Sequence, residues 1–148
     1  MDAQDMGDAL ERILVTEDEL SRRMRELAAQ IDADYQGKEL LLVGVLKGAL
    51  MVMADLSRNL HTPLAMDWMA VSSYGTGTKS SGVVRILKDL DADVHGRDVL
   101  IVEDIIDSGL TLSWLRENLL SRGAASVEIA AALRKPEAAK VHVDVKYV

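Results

Sequence analysis

Val99-Leu100-Ile101-Val102-Glu103-Asp104-Ile105-Ile106-Asp107-Ser108-Gly109-Leu110-Thr111 is the stretch that decides the fold. The apolar run 99–102 suits a short strand buried on both faces of a parallel sheet. Such sheets bind their ligands in the crevice beyond the carboxyl ends of the strands. Glu103 and Asp104 fall at that end. Adjacent carboxylates there accept hydrogen bonds from hydroxyl groups, as on a ribose, or reach a hard cation such as Mg2+. Residues 107–111 then read as a turn. Gly109 lets backbone approach a ligand, and Ser108 and Thr111 bring hydroxyls. The helix that opens near Thr111 offers unpaired N–H groups. Together these make an anion site suited to a phosphate. Two acids alone would also fit a charged loop with Thr111 as an ordinary N-cap. The full run of features argues against that plainer reading.

Outward from this stretch the chain alternates strands and helices. Thr16 and Glu19 have capping-box spacing, and the helix they open runs to about Tyr35 with Leu20, Met24, Leu27 and Ile31 on one face. Residues 39–46 read as a buried strand and 49–59 as a helix. Residues 64–73 and 83–88 read as strands, paired like a long hairpin. Residues 99–102 read as the central strand and 111–122 as the next helix, ended by Gly123. Residues 127–133 read as another apolar strand, and 141–148 alternate like an edge strand. No repeat, low-complexity tract or linker interrupts the pattern. It predicts a single domain over 1–148, an open α/β sheet, largely parallel and flanked by helices.

Composition narrows the function. With 148 residues and 49% hydrophobic content the chain is long enough for a real core. Phe is absent, so aliphatic residues and Met must fill the interior. Met51, Met53, Met66 and Met69 lie in apolar segments and read as packing. Zero Cys excludes disulfides, thiolate metal sites and Cys nucleophiles, and is compatible with a reducing cytoplasm. A net charge of −7 argues against general affinity for nucleic acid. The N-terminus lacks the pattern of a signal peptide, and no apolar run approaches membrane-spanning length. His61, His95 and His142 are isolated from one another and from ligand-spaced acids. Residues 88–93 read as a solvated turn, and Trp68 and Trp114 as core or interface.

Three further motifs matter. Lys47-Gly48 follows the strand ending at Leu46, where an ammonium and open backbone N–H groups can meet a pyrophosphate. Residues 72–82 are small, polar and Gly-rich, but lack Walker A spacing. Lys135 lies just past the strand 127–133, between Arg134 and Pro136.

The stretch 99–111 resembles the signature of the type I phosphoribosyltransferases, which bind 5-phosphoribosyl-1-pyrophosphate (PRPP). Val45-Leu46-Lys47-Gly48, Ser73-Tyr74-Gly75 and Leu133-Arg134-Lys135-Pro136 make the chain most similar to the hypoxanthine-guanine branch of that family, chiefly its bacterial members. The resemblance spans about residues 13–148. It implies the type I phosphoribosyltransferase fold with a flexible lid hairpin. It also implies purine salvage: transfer of phosphoribosyl from PRPP to hypoxanthine or guanine, with Mg2+ as cofactor.

By that resemblance Glu103, Asp104, Ile105, Asp107, Ser108, Gly109, Leu110 and Thr111 hold the ribose phosphate, with Glu103 and Asp104 also toward the metal. Lys47 and Gly48 hold pyrophosphate, in a loop that in the family often carries a non-proline cis peptide before the Lys. Ser73 and Tyr74 form the base of the lid, which would keep water from a ribosyl cation in the making. Lys135 donates to the six-position oxygen of the purine, favouring hypoxanthine or guanine over adenine. Asp107 is the expected general acid/base. The implied partners are PRPP and a 6-oxopurine, in a cytoplasmic homo-oligomer, dimer or tetramer, with no nucleic acid or membrane.

The family usually continues several dozen residues past the position of Val148. The expectation is therefore a chain lacking the C-terminal segment that completes the base site. A nucleotide-sensing RNA-binding regulator and an inactive scaffold are the competing expectations.

Overall fold

The computed structural model describes residues 3–73 and 84–148. Its sheet has the order β3-β2-β1-β4-β5. The strands are β1 (Leu40–Leu46), β2 (Leu64–Ser73), β3 (Val84–Lys88), β4 (Asp98–Ile106) and β5 (Ser126–Arg134). All neighbours run parallel except β2 and β3, which pair antiparallel from Ser73 opposite Val84. The expected open, largely parallel sheet and the hairpin-like pair are both present. The middle strand is β1 rather than β4.

Alternation along the strands makes two cores. On β1, Leu40 and Leu42 face α1 (Glu17–Asp34) and α2 (Ala49–Asn59), packing with Met24, Leu27, Ile31, Met53 and Leu56. Leu41, Val43 and Val45 face the other way, with Leu112, Leu115 and Leu119 of α3 (Leu110–Ser121). Burial on both faces explains the unbroken apolar runs. Gly44 is required here, since a Cβ would lie 2.5 Å from the Trp68 ring. The capping box is formed: Thr16 Oγ1 accepts from the Glu19 N–H at 3.2 Å, and Glu19 Oε2 accepts from the Thr16 N–H at 2.8 Å.

Several expectations need correction. Met53 and Met69 are fully buried, whereas Met51 and Met66 are 70% and 51% exposed. On α1, Leu20 is exposed too. Residues 88–93 are solvated on one side only, where Asp89, Asp91 and Asp93 are exposed. Lys88 ends β3, Leu90 and Ala92 pack on the core, and buried Asp67 accepts the N–H groups of Trp68, Asp91 and Ala92. Residues 141–148 do not form an edge strand. Only an isolated bridge between Ala130 and Tyr147 adds to the sheet. Side chains add to that bridge: the Tyr147 hydroxyl donates to Asp34 at 2.6 Å, and Lys146 pairs with Asp34 at 3.1 Å. His61 is not isolated either. Its backbone N–H and ring face the Asp32 carboxylate, which also accepts from Thr62.

Candidate active site

Parallel packing brings the carboxyl ends of β1, β4 and β5 to one edge of the sheet. The strand expected over 99–102 is longer, running Asp98–Ile106. Its pairing with β1 stops at Val102, but its pairing with β5 continues to Ile106 opposite Arg134. The two acids therefore stand inside the free final portion of the strand. One side of that portion is ladder-bonded and the other is open to a ligand.

The helix after the turn starts one residue earlier than expected. Its N-cap is Gly109, at φ 82°, with no side-chain cap. Thr111 lies inside the first turn, which removes the ordinary N-cap reading. The first N–H groups of that helix have no intrahelical acceptor; Leu110 N–H donates to Ser108 Oγ at 3.4 Å, and an anion can take the next ones. The start of α2 repeats the arrangement. Its N-cap is Gly48, also without a side-chain cap. Two helix N-termini thus flank the ends of neighbouring strands, and both present positive dipole ends to the same edge.

The peptide between Leu46 and Lys47 is cis. Gly48 lies so close to Asp104 that a Cβ would collide with its carboxylate. The Lys47-Gly48 loop and the acid pair are thus one locus. Asp104 Oδ1 accepts its neighbour Ile105 N–H at 2.8 Å, and Glu103 Oε1 accepts the Asp104 N–H at 3.3 Å. Burial pushes the Glu103 carboxyl up to about 8, reinforced by the side chain and charge of Asp104.

A cleft of about 240 Å3 opens beside Glu103, lined also by Ile105, Asp107, Ser108, Gly109 and Thr111, with Val45, Val71 and Leu112. The sequence reading missed Val71 and Leu112 as lining, and had Val45 only as part of a motif. The available signal was alternation: Val45 and Val71 belong to the α3 face of their strands. Leu110 is in the first turn of α3. Lys135 follows β5 directly, exposed, and its N–H donates to Ile106 O at 2.9 Å. This places the Lys135 backbone beside the turn, while its side chain makes no hydrogen bond or ion pair among the described residues. Ser73 ends β2, and Tyr74 lies outside the described residues. Among the described residues no cluster of three His, Cys, Asp or Glu could hold a metal ion by itself.

A strand-end acid pair, a glycine turn into a helix and a lysine loop beside them form a surface that can bind a phosphorylated sugar. The phosphoribosyl transferase domain model matches residues 14–148, and the chain belongs to that family. A curated relative, the hypoxanthine-guanine phosphoribosyltransferase of Mycobacterium bovis, is 52% identical over 145 residues, covering 94% of this chain and 72% of its own. The Bacillus subtilis protein of the same name is 50% identical over 139 residues, covering 94% and 77%. Among solved structures, a hypoxanthine phosphoribosyltransferase from Staphylococcus aureus superposes with a TM-score of 0.92 at 45% identity, covering 97% of this chain and 78% of that one. These relatives are named as transferases, and nothing among them supports an RNA-binding regulator. No helix among the described residues is long and apolar enough to cross a membrane.

Proposed function

We propose that this chain is a purine-salvage enzyme that moves the 5-phosphoribosyl group of PRPP onto hypoxanthine or guanine. The ring nitrogen of the purine bonds to the anomeric carbon as the bond to pyrophosphate breaks, giving IMP or GMP. The observation that carries this reading is the pair of helix N-termini with glycine N-caps, at Gly48 and Gly109, on either side of Glu103 and Asp104.

In this reading the 5-phosphate takes the N–H groups and hydroxyls of 107–111, and pyrophosphate takes Lys47 and the backbone at Gly48. Glu103 and Asp104 accept from the ribose hydroxyls. Asp107 stands exposed on the cleft wall, free to exchange a proton with the seven-position nitrogen of the purine. The Lys135 ammonium donates to the six-position oxygen, which adenine does not offer. Ser73, the last residue of β2, is assigned to keeping water from the oxocarbenium-like state.

The donor set fits Mg2+. Two adjacent carboxylates are too few to cage a cation, and Mg2+ is usually held by one or two carboxylates with substrate phosphates and water. Glu103 and Asp104 would hold it, and it would neutralise charge on the leaving pyrophosphate. The proposal includes assembly into dimers or tetramers in the cytoplasm. Exposed Met51 and Leu87 supply apolar surface for such contacts.

The test is pyrophosphate release by this chain with PRPP, Mg2+ and hypoxanthine or guanine, beside Asp107→Asn. Turnover that the variant loses supports the proposal. Failure of the unaltered chain to bind PRPP overturns it.

A further inference from the structure

The turn that lines the cleft is held from behind by one segment, residues 134–143. Ser108 O accepts from the Lys140 N–H at 2.9 Å and from the Val141 N–H at 3.3 Å. Ile106 O accepts from the Lys135 N–H at 2.9 Å. Gly109 packs beneath the far end of the same segment: a Cβ there would lie 2.9 Å from Val143 Cγ2 and 3.1 Å from Val141 O. Val143 is itself 4% exposed, rooted in the α3-side core. The two ends of the segment are tied together by one side chain. Arg134 Nη2 donates to Val143 O at 3.3 Å.

We infer that Arg134 is a positioning residue for the phosphate turn, closing residues 134–143 into a brace that fixes Ile106, Ser108 and Gly109. The inference rests on the proposed function, since it concerns the loop taken to hold the 5-phosphate. The physical logic is preorganisation. An anion-binding turn works when its N–H groups already point inward, and they do so when its carbonyls are satisfied outward. The brace supplies those outward partners. Without the Arg134 bond the segment keeps its two anchors but loses the link that sets their spacing. Part of the ordering then falls to the ligand.

Only the turn on β4 should respond. The Lys47-Gly48 loop belongs to β1 and α2 and makes no hydrogen bond to residues 134–143 among the described residues. The bond is made by a single nitrogen, so a lysine ammonium can replace it.

The experiment compares the unaltered chain with Arg134→Ala and Arg134→Lys. PRPP affinity is measured by calorimetry, magnesium pyrophosphate affinity in parallel, and unfolding midpoint as control. Arg134→Ala should weaken PRPP about tenfold, the scale of one hydrogen bond from a charged donor. Pyrophosphate affinity should stay unchanged, and Arg134→Lys should recover most of the loss. Amide exchange at 109–112 should also quicken in Arg134→Ala. Equal PRPP affinity in both proteins overturns the inference and leaves the proposed function standing. Equal losses for PRPP and pyrophosphate overturn it too, as the sign of a general structural role. An unaltered chain that binds no PRPP overturns the proposed function itself.

Discussion

The end of the site proposed to take phosphate is held firmly from behind, whereas the end proposed to take the base is open. At the first end Gly109 is pressed under Val143, the Ser108 carbonyl is doubly bonded from outside, and burial raises the Glu103 carboxyl. At the base end Lys135 is exposed and Leu133 is 41% exposed. Beside Leu133 runs an apolar groove of about 870 Å3, lined by Met6, Leu10, Ile13, Leu14 and Val15. The difference shows where each half draws its binding energy. The phosphate half relies on backbone groups that the fold has already oriented, so little ordering remains when the anion arrives. Among the residues assigned here, the base half relies on one flexible cation. Damage to the first half should therefore spread to the chemistry, and damage to the second should stay in base recognition.

The largest effect belongs to Asp107. Asp107→Asn should lower turnover about 10²–10⁴-fold, the range of a general acid/base, with PRPP affinity nearly unchanged. Single-turnover kinetics beside PRPP titration separates the two, and retained turnover would remove Asp107 from the chemistry. Next is Gly109→Ala. The residue sits at φ 82° with Val143 directly above. The substitution should cost about 1–3 kcal/mol in stability and weaken PRPP as well. Thermal melts and calorimetry read both, and a neutral result would show that the turn is less tightly held than its contacts imply. Lys135→Ala should be milder and confined to the open end. A KM for hypoxanthine raised about tenfold, with PRPP affinity intact, is the expected pattern. A matching loss of PRPP affinity would erase the distinction between the two ends.

The same contrast decides what could be read from sequence. The half proposed for phosphate is nearly contiguous, from Glu103 to Thr111, and each residue type has a local reason to be there, so the sequence alone could propose it. Helices α1 and α2 were legible from capping and apolar spacing. The length of β4 was not, because it depends on where two different neighbours stop pairing. Nor was the brace: Arg134 reads as an ordinary strand-end cation until Val143 is seen beside it. Asp67 carries no local sign that loop N–H groups from Asp91 and Ala92 will converge on it. The tail misled because alternation over 141–148 reports which side chains are buried. It says nothing about whether a partner strand is within reach.

The last effect, the one read without substrate, concerns Glu103. Its folded value of about 8 stands above its ordinary 4.5. A raised carboxyl contributes its full stability below pH 4.5, where both folded and unfolded chains carry the proton. As pH climbs from there toward 8 the unfolded chain releases the proton first, so stability falls. Above 8 both are ionised and the decline ends. Asp32, Asp34 and Asp89 work in the opposite sense. Hydrogen bonds to Thr62 and His61 outweigh the burial of Asp32, Tyr147 and Lys146 lower Asp34, and Arg122 lowers Asp89. Their contributions are complete above the ordinary aspartate value of 3.8 and fade only as pH drops through their depressed values. The two windows hardly overlap, so a melting profile of the metal-free protein between pH 5 and 8 reports mainly on Glu103. Glu103→Gln, neutral throughout, should flatten that slope and leave the acid limb in place. A slope that persists in the variant would mean the carboxyl is already ionised and solvated at neutral pH. The phosphate end would then be as open as the base end.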